Sequence, residues 1–303
     1  MGKSPKYSDP EVLARIADLM LRSRQVVEGS ISGLHRSPFH GFNVEFAEYR
    51  EYSPGDDLRR LDWRVLGRTD RYYIKQYEEE SNLRATLVMD SSASMRYGSG
   101  AMTKFDYAAT VAAALATLLI GQQDPVGLAL FDREPHPFLP PAATQAHLVQ
   151  IIGRLESARP DRETKLGPML ESLADQIRQR GMVIVISDLL TDLPAFYDGL
   201  ARLQYRGHEI LVIQVLDKDE IDLPFDDLVL FRDIEGNEEL FAEPWVFRKA
   251  YRAAMQTFLD EARSACGERG IDHLLLRTDE DLSTALSYYL HARERSAHLR
   301  YGK

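Results

Sequence analysis

Asp90, Ser92 and Ser94 alternate along "MDSSASM", directly after the apolar run "ATLV". Alternate side chains of an extended or turning segment share one side, so one carboxylate and two hydroxyls converge. Three hard oxygens of this kind suit Mg²⁺ or Mn²⁺, which take an octahedron of oxygen ligands and retain some waters. Three ligands are few for such an ion, so other strand ends have to contribute. Two stand where help is needed: Asp188 closes the apolar run "MVIVISD", and Thr164 lies in "RETKLGPML", in a loop before a helix. Each residue also has an ordinary account, with Thr164 as an N-cap, Asp188 as a cap on the following helix, and the serines as caps of a helix from about residue 95. Taken together, in this order and each at a strand-end loop, they point to a metal site of Asp90, Ser92, Ser94, Thr164 and Asp188. The neutral hydroxyls suit direct ligation, and the two acids act largely through water.

Other chemistries fit less well. Asp90 beside Mg²⁺ has the form of a phosphoryl-accepting nucleophile, but Ser, Ser, Ala, Ser follow it where a second acid is wanted, and no His or Cys adjoins either motif. "YGSGAMTKFD" fails the phosphate-loop pattern, because no Gly precedes Lys104 and Phe105 follows it in place of Ser or Thr. The eight histidines show neither His-Glu-x-x-His nor another close ligand pair, which argues against zinc. Cys266 is the only cysteine and sits near a helix end, as a small packing residue would. A third reading, a purely structural domain with an unoccupied site, leaves Asp90 and Asp188 converging without a counter-charge.

The elements that must position these residues follow from hydrophobic patterning. From residue 84 onward, apolar strands alternate with helices: "RATLVMD", the buried helix "KFDYAATVAAALATLLIG", "VGLALFD", a Pro-broken edge strand in "REPHPFLPP", and the helix "TQAHLVQIIGRLESA". Next come the helix "PMLESLADQIRQRG" closed by Gly181, "MVIVISD", the helix "LPAFYDGLARLQYRG" and the strand "HEILVIQVLD". A hairpin over about 221–243, a long helix through 244–265, the strand "IDHLLLRT" and a last helix from about 280 to 294 complete the series. Continuously apolar strands separated by helices predict an α/β fold, a doubly wound, mostly parallel sheet with helices on both faces. Such sheets bind ligands beyond the carboxyl ends of their strands, where Asp90 and Asp188 fall. Ahead of this domain (84–303), the sequence predicts an N-terminal helix within 1–30 and a small β-rich lobe over 31–83.

Composition narrows the partners. A net charge of −10 disfavours nucleic acid, and the arginines between residues 50 and 75 are interleaved with acids. The N-terminus lacks a signal peptide's apolar core, and "VAAALATLLIG" is shorter than the ~20 apolar residues a bilayer requires. A cytoplasmic protein with no membrane segment in this chain is the expectation.

"DSSASM", Thr164 and Asp188 resemble, part by part, the metal-ion-dependent adhesion site of von Willebrand factor A domains. "EFAEYREYSPGDDLRRLDWRVLGRTDRYYIKQYEEE", just before the metal motif, is similar to the signature of the bacterial family called domain of unknown function 58. "KFDYAATVAAALATLLIGQQDPVGLALFD", "HEILVIQVLD" and "LSTALSYYLHAR" extend the similarity to nearly the whole chain from about residue 30. The resemblance implies a von Willebrand A-like protein that works with a MoxR-type AAA+ ATPase in chaperone-like maturation or activation of client proteins. It also implies that the site serves protein binding rather than catalysis, a carboxylate from the ATPase or the client completing the metal's coordination. Many relatives carry membrane-spanning segments near the N-terminus, whereas this chain does not. Asp62 and Trp63 of the signature suit a buried anchor, with Trp63 packing and Asp62 paired to a neighbouring Arg.

Overall fold

The computed structural model describes residues 17–27, 48–51, 73–76, 84–131, 137–160, 166–232 and 239–282. The chain forms two compact units, residues 36–82 and residues 1–35 with 83–303. In the smaller unit the described residues are two antiparallel strands, β1 (Glu48–Glu51) and β2 (Tyr73–Gln76). The whole "YSPGDDLRRLDW" signature, including Asp62 and Trp63, lies outside the described residues.

The larger unit is built on a six-stranded sheet. Its strands are β3 (Ala85–Asp90), β4 (Val126–Phe131), β5 (Leu139–Ala142), β6 (Met182–Ser187), β7 (Glu209–Leu216) and, after a separate hairpin, β10 (Asp272–Arg277). They lie in the order β10-β7-β6-β3-β4-β5, all parallel except β5, which pairs antiparallel with β4 at the edge. Chain order runs one way from β3 to β5 and then the other way from β6 to β10. The reversal falls between β3 and β6, which is where a doubly wound sheet opens a crevice for ligands.

Both faces of the sheet are buried, and the strands divide their side chains between them by strict alternation. Leu87, Met89, Ile184, Ile186, Leu211, Ile213 and Val215 face one core, shared with the helix over 17–27 (α1), α2 (Lys104–Gly121) and α3 (Gln145–Ser157). Val88, Val183, Val185, Ile210 and Val212 face the other, under α4 (Leu166–Gln176), α5 (Leu193–Tyr205) and the long helix α7 (Pro244–Glu268). Leu19 of α1 is buried in the first core, and Ser23 of α1 lies 3.3 Å from Thr117 of α2, hydroxyl to hydroxyl. Cys266 is buried in the second core, where burial pushes its thiol up to about 11, as suits an inert packing residue.

α2 is buried on nearly every side because six alanines let neighbouring backbones approach closely. A capping box of Thr103 and Asp106 opens it. Among the described residues it is the one helix long and apolar enough to cross a membrane, and here it forms the domain's interior.

Two features depart from the sequence-based expectation. α4 ends at Gln176, short of Gly181. Gly181 instead begins the approach to β6: a Cβ there would stand 2.2 Å from the Arg84 carbonyl oxygen, so a close backbone passage excludes any side chain. A five-residue helix, α6 (Lys218–Asp222), follows β7 and takes the first positions of the hairpin expected from about 221. The hairpin appears as β8 (Val229–Arg232) paired with β9 (Glu239–Ala242), separate from the main sheet. The predicted helix over 280–294 falls largely outside the described residues.

Candidate metal site

Asp90 is the last residue of β3, and Asp188 directly follows β6, on either side of the sheet's reversal point. Parallel pairing in register from Ala85–Met182 to Met89–Ile186 brings the two carboxyl ends together. After β3 the chain enters a 3₁₀ turn over Ala93–Arg96. Ser92 occupies the cap position of that turn but makes no capping hydrogen bond; its Oγ lies 2.9 Å from Ser94 Oγ. The cap of α5 is Asp192, whose carboxylate accepts from the Ala195 N–H, so Asp188 is not consumed in capping either. Thr164 lies outside the described residues.

Both acids are almost completely enclosed, Asp90 at 3% exposure and Asp188 at 1%. Asp90 Oδ1 accepts the Ser92 N–H at 2.9 Å, and Oδ2 accepts the Ser187 hydroxyl at 2.6 Å. Burial, reinforced by the nearby negative charge of Asp188, pushes Asp90 up to about 6 against the opposition of those hydrogen bonds. A buried carboxylate strained in this way gains most from a cation.

The loop after β6 is itself under tension. Leu189 adopts φ 61°, a left-handed conformation that branched side chains avoid, and it is held there by full burial and by its N–H donating to Ser187 Oγ at 3.0 Å. Asp188 Oδ1 accepts the Leu190 N–H at 3.0 Å, and the Asp188 carbonyl accepts from Gln214 Nε2 at 3.2 Å. These contacts fix the direction of the Asp188 carboxyl. Its other oxygen, Oδ2, accepts from the Lys104 ammonium at 2.7 Å, and Lys104 also donates to Glu220 Oε1 of α6 at 2.7 Å.

Ser187, Lys104 and Glu220 are thus parts of the site that residue-by-residue reading passed over. Ser187 is hidden by its position inside an apolar strand. Lys104 did carry a signal: a cation in the first turn of a helix opposes the helix dipole, so something else must hold it there.

The donor set fits a small hard cation. Two adjacent vertices of an octahedron with metal–oxygen bonds of 2.0–2.1 Å lie about 2.8–3.0 Å apart, and the Ser92 and Ser94 hydroxyls are separated by 2.9 Å. Among the described residues no three His, Cys, Asp or Glu side chains gather as a metal cage. An ion at this point would be held by hydroxyls, with Asp90 and Asp188 behind them.

The family described as "Protein of unknown function DUF58" matches residues 48–262. The chain belongs to the DUF58 family. It is 31% identical over 294 residues to "Uncharacterized protein Rv1480" of Mycobacterium tuberculosis, covering 95% of this chain and 92% of the relative. The architecture of this DUF58 member is von Willebrand factor A-like: a mostly parallel six-stranded sheet with one antiparallel edge strand, wrapped by helices on both faces. A solved structure of an aerotolerance-related membrane protein from Bacteroides fragilis superposes with TM-score 0.50 at 16% identity, over 70% of this chain and 99% of that one. The SpRpn10 VWA domain gives TM-score 0.42 at 15% identity, over 67% of this chain and 93% of that one.

Proposed function

We propose that this DUF58 protein is a non-catalytic, metal-dependent protein-binding module. The observation that carries the reading is the convergence, at the reversal point of the sheet, of the Ser92–Ser94 hydroxyl pair with two buried acids drawn from adjacent strands. Ser92 and Ser94, joined by Thr164, would hold Mg²⁺ or Mn²⁺ directly, with Asp90 and Asp188 orienting its waters. An ion ligated mainly by neutral hydroxyls retains much of its positive field and accepts a carboxylate from outside. Asp or Glu on a partner is the natural sixth ligand. Beside it Leu190, 47% exposed one position beyond the Leu189 kink, offers an apolar contact at the rim.

The family resemblance supports a MoxR-type AAA+ ATPase, or its client, as the source of that acid, and a chaperone-like role in client maturation. Such a pairing belongs in the cytoplasm, where ATP is supplied. The experiment is a pull-down of the purified chain against a co-encoded AAA+ protein, run in Mg²⁺, in chelator, and with Ser92→Ala. Binding lost in chelator and in the variant is the expected outcome. Undiminished binding in both would show that the partner docks elsewhere and would withdraw the metal-dependent reading.

A further inference from the structure

Lys104 has no part in metal ligation, yet it is among the most thoroughly enclosed side chains of the protein, at 0% exposure. Leaving a lysine uncharged is the usual response to such burial, which lowers its pKa. Here two carboxylates, those of Asp188 and Glu220, meet the ammonium directly, so the buried charge is paired on two sides. Both of its contacts are 2.7 Å, the length of charge-assisted bonds. One contact removes a single oxygen of Asp188 from the candidate metal site. The other ties that oxygen's partner to α6, where Glu220 Oε2 also accepts the Asp217 N–H at 2.9 Å. Asp217 in turn accepts the Ser99 N–H at 3.0 Å and the Thr278 hydroxyl at 2.8 Å, so the acceptor side of the bridge is rigidly mounted.

We propose that Lys104 is the built-in counter-cation of the candidate metal site, holding Asp188 in place without metal and lowering the site's affinity for a divalent ion. The inference rests on the metal-binding reading of Asp90, Ser92, Ser94 and Asp188, and deepens it. An ammonium bonded directly to Asp188 repels an incoming dication and keeps one carboxylate oxygen from its waters. The bound ion is then left under-neutralised, so its remaining affinity is directed toward an acidic partner, and metal and partner bind cooperatively. Lys104 is accordingly a positioning residue that sets how strongly the site depends on its partner.

The test uses the full chain and Mn²⁺ as the probe, with free ion followed by its electron paramagnetic resonance signal. Lys104→Met keeps the length of the apolar stem and removes the charge. It should bind Mn²⁺ roughly tenfold tighter or more, melt earlier than wild type in chelator, and recover a larger share of its melting temperature on adding Mn²⁺. Glu220→Gln leaves the ammonium to Asp188 alone and should weaken Mn²⁺ binding several-fold; this variant decides the matter if Lys104→Met does not fold. An ion pair with only a structural role would lower the chelated protein's melting temperature and leave the Mn²⁺ affinity of both variants at the wild-type value, overturning the proposal. If wild type binds Mn²⁺ and Lys104→Met does not bind it tighter, the counter-cation role alone is overturned. If neither protein binds at millimolar Mn²⁺, the metal site falls and the proposal with it.

Discussion

Asp90→Asn should make the metal-free protein more stable at neutral pH while abolishing its response to Mg²⁺. The wild-type carboxyl is pushed from 3.8 up to about 6, so keeping it ionised in the folded state costs about 3 kcal/mol once the pH is well above 6. Asparagine removes that charge. Its carbonyl can still accept the Ser92 N–H, but its amide meets the Ser187 hydroxyl that formerly donated to Oδ2. Losing that one bond costs about 1 kcal/mol. The net gain is about 2 kcal/mol, or roughly 4–8 °C in melting temperature for a domain of this size. The sign with pH is fixed as well. Because the folded-state pKa is raised, the wild type loses stability as pH rises from 3.8 through 6, so the advantage of Asn is absent at the low end and complete above it. Thermal unfolding of both proteins in chelator across that range, repeated at neutral pH with millimolar Mg²⁺, reads all of this. A variant that is less stable than wild type at neutral pH, or a difference that does not change with pH, would refute the reasoning.

Ser187→Ala removes the donor to Asp90 Oδ2 and the acceptor of the Leu189 N–H together; a loss of about 1–3 kcal/mol is expected in denaturant unfolding. Gly167→Ala would place a Cβ 2.4 Å from the Ala195 carbonyl oxygen and force α4 away from α5, for an expected loss of about 1–3 kcal/mol in the same assay. His273 of β10, with Nε2 3.1 Å from Gln214 Oε1, is brought down to about 4 by burial and, secondarily, by Arg263. The folded protein therefore binds fewer protons than the unfolded chain between pH 4 and pH 6.5, and loses stability as pH falls through that window. Comparing melting profiles of wild type and His273→Asn should show a flatter acid limb in the variant.

The architecture was legible because the strands are apolar without interruption, which leaves only a sheet covered on both faces. The alternation of Val88 and Val185 against Leu87 and Ile184 between the two cores is the packing that this pattern requires. The end of α4 was not legible, since Ile177 continues a helical spacing while being buried outside the helix. Gly181 looked like a helix stop although its reason is the Arg84 backbone, a contact made only when β3 and β6 pair. Asp90 and Asp188 could be read from their places at strand ends. Lys104 could not be joined to them in the same way: its two partners lie 84 and 116 positions further along the chain, and only the folded sheet brings them together. Ser92 and Asp188 each had a capping role open to them, and the geometry gives the first no cap bond and assigns the α5 cap to Asp192.

Anomalous scattering from crystals grown in Mn²⁺ would read out whether the ends of β3 and β6 form a divalent-metal site. A single strong peak is expected within about 2.3 Å of both Ser92 Oγ and Ser94 Oγ, given ordinary metal–oxygen bond lengths, with the Asp90 and Asp188 carboxyls behind it. Electron density showing the Ser92–Ser94 hydroxyl contact intact at 2.9 Å, with no anomalous peak beside it at millimolar Mn²⁺, would contradict the account.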